Sequence, residues 1–179
     1  GKTYRVTDRL DLQSNNKWMD GTINSAIPAN GSENSIIRGN FAKNASLIRM
    51  KVNRGSDATF AQVAGEDPYY AGARTGAVRC KYCENVWFES LEITGNGVGT
   101  GILITASTNV VLVDPYVHDM TFSTTLAGFD SANEMMIGIW PQISKNVTIL
   151  NPRVLRLTPS TGLIDSVRKN WVDALASSG

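Results

Sequence analysis

Residues 101–119, GILITASTNVVLVDPYVHD, decide the fold because the chain repeats their pattern on both sides. Ala77 to Gly95 reads AVRCKYCENVWFESLEITG, and Gly138 to Arg156 reads GIWPQISKNVTILNPRVLR. Laid over one another without gaps, the three segments superimpose Asn85, Asn109 and Asn146, then Val86, Val110 and Val147, then Ile93, Val117 and Val154. A fourth copy starting at Gly162 would bring Asn170 into register, spacing the Asn marks 24, 37 and 24 residues apart. Self-similarity in that range is the signature of a stacked repeat.

One copy contains short alternating runs. Ile102 and Ile104 point one way and Leu103 the other; after the Asn, Val110 and Leu112 alternate with Val111. A period of two is a strand signal. Each copy breaks at the polar stretch before its Asn, and two break again at Pro115 and Pro152. Three short strands cannot bury an inner face alone, so the copies must stack. A coil of parallel strands does this, each turn bonding to the next at ~4.8 Å.

At 179 residues the chain reads as one domain, residues 1–179. A net charge of +1 with dispersed Lys and Arg argues against a nucleic-acid or acidic-membrane partner. No apolar run reaches the ~18 residues of a membrane span. Cys80 and Cys83 form a lone CxxC, and with one His in the chain the remaining ligands of a zinc site are hard to find. In an extended strand their Cα atoms would lie about 10 Å apart, past the ~7 Å limit for a disulfide, so the expectation is a reduced, structural pair.

Residues 1–28 predict strands at Tyr4 to Val6, Leu10 to Leu12 and around Trp18 to Ile23, with a turn at Asn15 and Asn16. The GKTYRV segment followed by LDLQS resembles the first complete rung of the pectate-lyase-like right-handed parallel β-helix superfamily, above all bacteriophage tailspike depolymerases. The resemblance implies an all-β, right-handed coil, here of about five rungs, belonging to a longer chain because a capping helix normally precedes this segment. It also implies a homotrimer in a virion tail or extracellular setting, and a bacterial surface polysaccharide as partner.

A second rung is expected from strands at Ser35 to Arg38 and Ser46 to Val52. Two stretches, 53–75 and 120–137, break the rhythm and read as excursions leaving one corner of the coil, with the short return GNGVGT (96–100 with Gly95) between them. Loops this long in a compact domain are usually functional or disordered. The two would wall a groove roughly 10 Å across. In the tail 158–179, Leu163, Val167, Trp171 and Leu175 share a helical stripe, which favours a short C-terminal helix over a further rung that would turn Asp165 and Asp173 inward.

The chain carries no nucleophile motif, phosphate loop or metal-spaced cluster, and no cofactor is expected. Carboxylates and aromatics remain, the inventory of a sugar site. Glycoside hydrolysis needs two carboxyl groups about 5 to 9.5 Å apart, distances that acids on neighbouring rungs supply. The candidates are Asp119 at the root of the second excursion and Asp130 and Glu134 within it. Asp119 aligns with Gly95, leaving room beside it, and His118 could orient or protonate substrate. Trp140, in an outward column with Arg79 and Leu103, would stack on a sugar ring. Glu66, Asp67, Tyr69 and Tyr70 of the first excursion would face the same groove. Asp114 joins Ser90 and Asn151 in a polar column at a bend, and Glu92, Tyr116 and Arg153 form a second outward column, expected as surface support. The functions that follow are a hydrolytic polysaccharide depolymerase, a non-catalytic glycan-binding or structural module of the same fold, and a polysaccharide lyase with Arg79 as the nearest base.

Overall fold

The structure, a computed structural model, describes residues 1–26, 35–54, 76–96, 100–121 and 137–158. After a first strand β1 (Lys2–Val6) the described residues make five turns of three strands each. These are β2 (Leu10–Leu12), β3 (Lys17–Met19) and β4 (Gly21–Ser25); β5 (Ile37–Asn40), β6 (Ser46–Ile48) and β7 (Lys51–Arg54); and β8 (Gly76–Lys81), β9 (Glu84–Glu89) and β10 (Glu92–Asn96). Then come β11 (Thr100–Thr105), β12 (Thr108–Val113) and β13 (Tyr116–Thr121), followed by β14 (Ile137–Gln142), β15 (Lys145–Leu150) and β16 (Arg153–Thr158). The strands of each turn enter sheet 1 (β2, β5, β8, β11, β14), sheet 2 (β3, β6, β9, β12, β15) and sheet 3 (β4, β7, β10, β13, β16) in that order, with β1 completing sheet 3. Every ladder is parallel. The product is an all-β parallel solenoid, and no helix occurs among the described residues.

The repeat register read from the sequence is the register of the sheets. Val110 pairs with Val86 below and Val147 above, and Val117 pairs with Ile93 and Val154. These files, with Phe88–Leu112–Ile149 and Val78–Ile102–Ile139, point inward and form one continuous core. Gly101 stands where the coil is narrow: a Cβ there would meet Val117 Cγ1 at 2.6 Å. At the other end of the described coil the inner face opens into an apolar hollow of about 380 Å³ lined by Tyr4, Val6, Leu10, Trp18, Ile23 and Met50.

The corners explain the Asn marks. Asn15, Asn44, Asn85, Asn109 and Asn146 all sit at φ between 53° and 63°, where the chain comes off the corner into sheet 2. That left-handed region is costly for most side chains and least so for Asn and Gly. The amides then chain together: Asn85 Nδ2 donates to Asn44 Oδ1 (3.2 Å), Asn109 to Asn85 (2.9 Å) and Asn146 to Asn109 (3.0 Å). Just inside the same corner, Ser107 Oγ accepts from the Cys83 amide (3.0 Å) and Ser144 Oγ from the Ser107 amide (3.1 Å), so backbone groups freed by the bend stay paired.

Four expectations change. The strands expected at Trp18 to Ile23 and Ser46 to Val52 are each cut in two, at Asp20 (φ 57°) and Arg49 (φ 50°), because the chain turns from sheet 2 to sheet 3 there. Cys80 and Cys83 are not a reduced pair but a disulfide with Cα atoms 5.8 Å apart. The extended geometry assumed for them fails because Tyr82 (φ 55°) bends the chain between β8 and β9. Asp119 is not level with Gly95: Ile93 pairs with Val117 but Gly95 with Met120, so His118 and Asp119 together oppose Thr94 in a β-bulge. The strands flanking both expected excursions reach two residues further than expected at their starts, to Arg54 and Thr121. The interiors of the excursions and the tail with its expected helix lie outside the described residues.

Candidate functional site

The outer face of sheet 3 gathers the ionisable side chains. Lys51, Glu92, Tyr116 and Arg153 stand in one file on β7, β10, β13 and β16, and His118 projects two residues beyond Tyr116 on the same face. Glu92 Oε1 accepts from Lys51 Nζ at 2.5 Å and also faces His118 Nε2 at 3.1 Å. On the other side of the imidazole, Nδ1 lies 2.6 Å from Asp119 Oδ2. The ring stacks on Tyr116 with centroids 3.9 Å apart, and the Arg153 guanidinium lies 4.3 Å from the Tyr116 centroid. His118 is thereby fixed on three sides and its side chain is only 12% exposed.

Asp119 owes its position to the bulge. Its left-handed backbone (φ 49°) re-aims the carboxylate along the coil toward Arg156, which has the same conformation (φ 52°) in the matching place on β16. Arg156 grips Asp119 with two parallel bonds, Nε to Oδ1 and Nη2 to Oδ2 (2.7 Å). Hydrogen bonds from Arg156 and then His118 hold the Asp119 carboxyl far below the usual carboxylate range, outweighing desolvation. Glu92 is also held low: partial burial alone would raise it, but the bonds from Lys51 and His118 together prevail. Both carboxyls are therefore ionised near neutral pH and neither is a proton donor.

Lys51 and Glu92 also line a shallow cavity of about 360 Å³ at the corner between sheets 2 and 3, together with Asp20, Thr22, Arg49 and Ser90. Arg49 forks onto Asp20 there (2.6 and 2.9 Å), with an Asp20 carboxyl lowered chiefly by that bond. The cavity and the His118 cluster make one polar strip along the coil, from β4 to β16. It offers hydroxyls, carboxylate acceptors and Arg and Lys donors, suited to a polar, hydroxyl-rich ligand. Among the described residues no group of three His, Cys, Asp or Glu side chains is placed to hold a metal ion.

The structure brings Asp119 and His118 together and places Trp140 and Arg79 elsewhere, on sheet 1. Arg79, Leu103 and Trp140 do share the outward file there. Arg79 and Leu103 are nevertheless 5% and 2% exposed, so this file is covered and is no open floor for a ligand; Trp140 is half-buried. Asp130, Glu134, Glu66, Asp67, Tyr69 and Tyr70 lie outside the described residues. Asp114 accepts from Asn151 Nδ2 at 3.1 Å, the polar column its alignment implied. The reading of the sequence passed over Lys51, Arg156 and the Asp20–Arg49 pair. Arg156 occupies the same repeat position as Asp119, and opposite charges in one column of adjacent turns were the available signal.

In comparison with known proteins, no family model, no curated sequence and no solved structure matches this chain.

Proposed function

We propose that this chain is a glycan-acting, right-handed parallel β-helix of the pectate-lyase-like kind, similar to phage tailspikes, that binds and hydrolyses bacterial capsule or O-antigen. The observation that carries the reading is topological. Every passage from sheet 3 to sheet 1 joins the end of one turn to the start of the next, and the two longest, residues 55–75 and 122–136, follow β7 and β13, the strands that bear Lys51, His118 and Asp119. A linear polymer laid along the strip meets successive turns with similar polar groups. In this reading Asp130 and Glu134 supply the hydrolytic carboxyl pair, while Asp119 and His118 hold substrate; a homotrimer displayed on a virion is the assembly the resemblance implies.

A second reading, a module that grips glycan without cutting it, is favoured by one observation: Asp119 and Glu92 are both ionised and both engaged by cations. The lyase reading is weaker, since burial of Arg79 removes its nearest base from solvent.

Incubation with a panel of purified capsular and lipopolysaccharide glycans separates these readings, with reducing ends and unsaturated products measured in parallel. Hydrolysis predicts new reducing ends without unsaturation, and at least ~100-fold loss of turnover in Asp130→Asn or Glu134→Gln. Undiminished turnover in both variants removes those acids from the site. Binding without products establishes the second reading, and no binding to any glycan overturns both.

A further inference from the structure

Phe41, Tyr82, Ala106 and Ile143 stand in one file where sheet 1 ends, on successive turns. The Phe41 amide donates to the Lys81 carbonyl, that of Tyr82 to Thr105 and that of Ala106 to Gln142, at 2.9 to 3.0 Å. All four residues are left-handed, at φ 58°, 55°, 47° and 50°. That conformation is unfavourable for an aromatic residue and more so for a β-branched one such as Ile143. Three residues on, the same conformation is filled by Asn, so a left-handed bend does not itself call for bulk. Nor does the core: Phe41, Tyr82 and Ile143 are 62%, 45% and 84% exposed. Backbone strain and apolar exposure at the same positions point to a contact made outside the coil.

The rings of Phe41 and Tyr82 stack with centroids 4.9 Å apart and planes 21° from parallel. The other face of Tyr82 looks along the coil to the next turn, where Ala106 puts a methyl group in place of a ring, and Ile143 stands one turn further. At ~4.8 Å per turn, Tyr82 and Ile143 bracket a notch of about 9.6 Å with Ala106 as its floor, room for one saturated ring. Asn44, Asn85, Asn109 and Asn146 follow on the same bend as an exposed row. Asn85 and Asn109 each use one N–H and one oxygen lone pair within that row, which leaves one of each for a ligand. The Lys81 ammonium, 5.1 Å from the Tyr82 centroid, adds a further donor.

We propose that this ridge is a second carbohydrate site, seating the apolar face of one pyranose ring in the Ala106 notch against Tyr82 and offering its hydroxyls to the Asn row. Size argues for a sugar over a protein. At ~200 Å² per side chain the three exposed residues present about 400 Å², half of the ~800 Å² that a stable protein partner covers on each side. Chemistry argues the same way, since a pyranose joins a C–H face that suits an aromatic wall to hydroxyls that suit uncharged amides. The ridge shares its ligand class with the sheet 3 strip and nothing else. It lies on the corner between sheets 1 and 2, and Glu84 on this bend is held by Lys43 at 2.8 Å, so its role is to grip glycan and not to cut it.

Cellohexaose, maltohexaose and purified capsular and lipopolysaccharide oligosaccharides serve as probes. Titrated into protein labelled at its Ala and Ile methyl groups, a bound probe should shift the NMR signals of Ala106 and Ile143. Ala106→Phe fills the notch without removing a contact and Tyr82→Ala removes one wall; each should weaken binding at least ~10-fold by calorimetry. Circular dichroism checks that both variants fold, and where one does not, the wild-type methyl shifts decide. Equal affinity in the wild type and both variants, or no probe bound, overturns the ridge. So does a wild-type dimer in sedimentation that Ala106→Phe disperses, which gives the notch to a second copy of the chain. The two sites fail separately: binding that depends on the ridge without products leaves the ridge standing and removes hydrolysis, whereas cleavage with unshifted Ala106 and Ile143 methyls does the reverse.

Discussion

Asn109 sits at φ 55° with its amide bonded to Asn85 on one side and to Asn146 on the other. Backbone and side chain select the same residue, and two substitutions pull the demands apart. Asn109→Ala loses both and should cost about 1–2 kcal/mol; Asn109→Gly keeps the backbone freedom, loses only the exposed amide bonds, and should cost less. Urea midpoints of the two variants check the order. Gly95 is more constrained: at φ 118° a Cβ would fall on the Arg54 carbonyl oxygen of the turn below. Gly95→Ala should therefore cost roughly 3 kcal/mol or more, read from the same denaturation curves. The repeated Asn was legible as a column because it recurs in register. The reason for it was not, since a left-handed backbone need not leave a mark in the sequence: three residues before the Asn column, the chain is also left-handed at Phe41, Tyr82, Ala106 and Ile143, which share no residue type.

Among the elements, β13 carries the most charge chemistry, and its behaviour in acid follows from the bulge. A carboxyl with a folded-state value below its unfolded one stabilises above the unfolded value and loses that contribution as pH falls toward the folded one. Asp119 and Glu92 are both of this kind. Stability should thus hold above the ordinary carboxylate range and decline below about pH 4. Asp119→Asn should flatten the decline, which acid-unfolding curves followed by circular dichroism would show. The strand was legible from its alternation, whereas the bulge was not: without gaps Asp119 is level with Gly95 as well as Arg156, and the extra residue against β10 removes only the first of these pairings. The turn between β8 and β9 gives a second case. An extended chain would keep Cys80 and Cys83 apart, and the bend at Tyr82 brings them together. Their disulfide closes so short a loop that its reduction should lower stability by no more than about 2 kcal/mol on chain-entropy grounds, measurable as a shift in urea midpoint with added dithiothreitol.

The whole molecule depends on an interior in which each turn seals its neighbours. Val110 has Val86 and Val147 stacked against it and no exposure, so Val110→Asp would place an unpaired charge in the core and should leave the chain unfolded, seen as loss of the β signal in circular dichroism. That interior was readable in the three repeated segments, because period-two alternation and the 24- and 37-residue spacings place files such as Val86–Val110–Val147 inward without knowledge of the loops. The ligand strip was less readable. Its partners come from turns far apart in sequence, and a charge looks solvated until the register names what lies above and below it.

Among the described residues sheet 3 holds a sixth strand while sheets 1 and 2 hold five, and successive turns touch only along their rims. A thread wound this way has no single clasp. Pulled by its ends, it should pay out loop by loop, and because the windings are unequal the steps should be too. About 80 Å of contour is expected from the 24-residue winding between Asn85 and Asn109, and about 125 Å from the 37-residue winding that follows. A force trace would then carry the spacing of the asparagines, written as lengths.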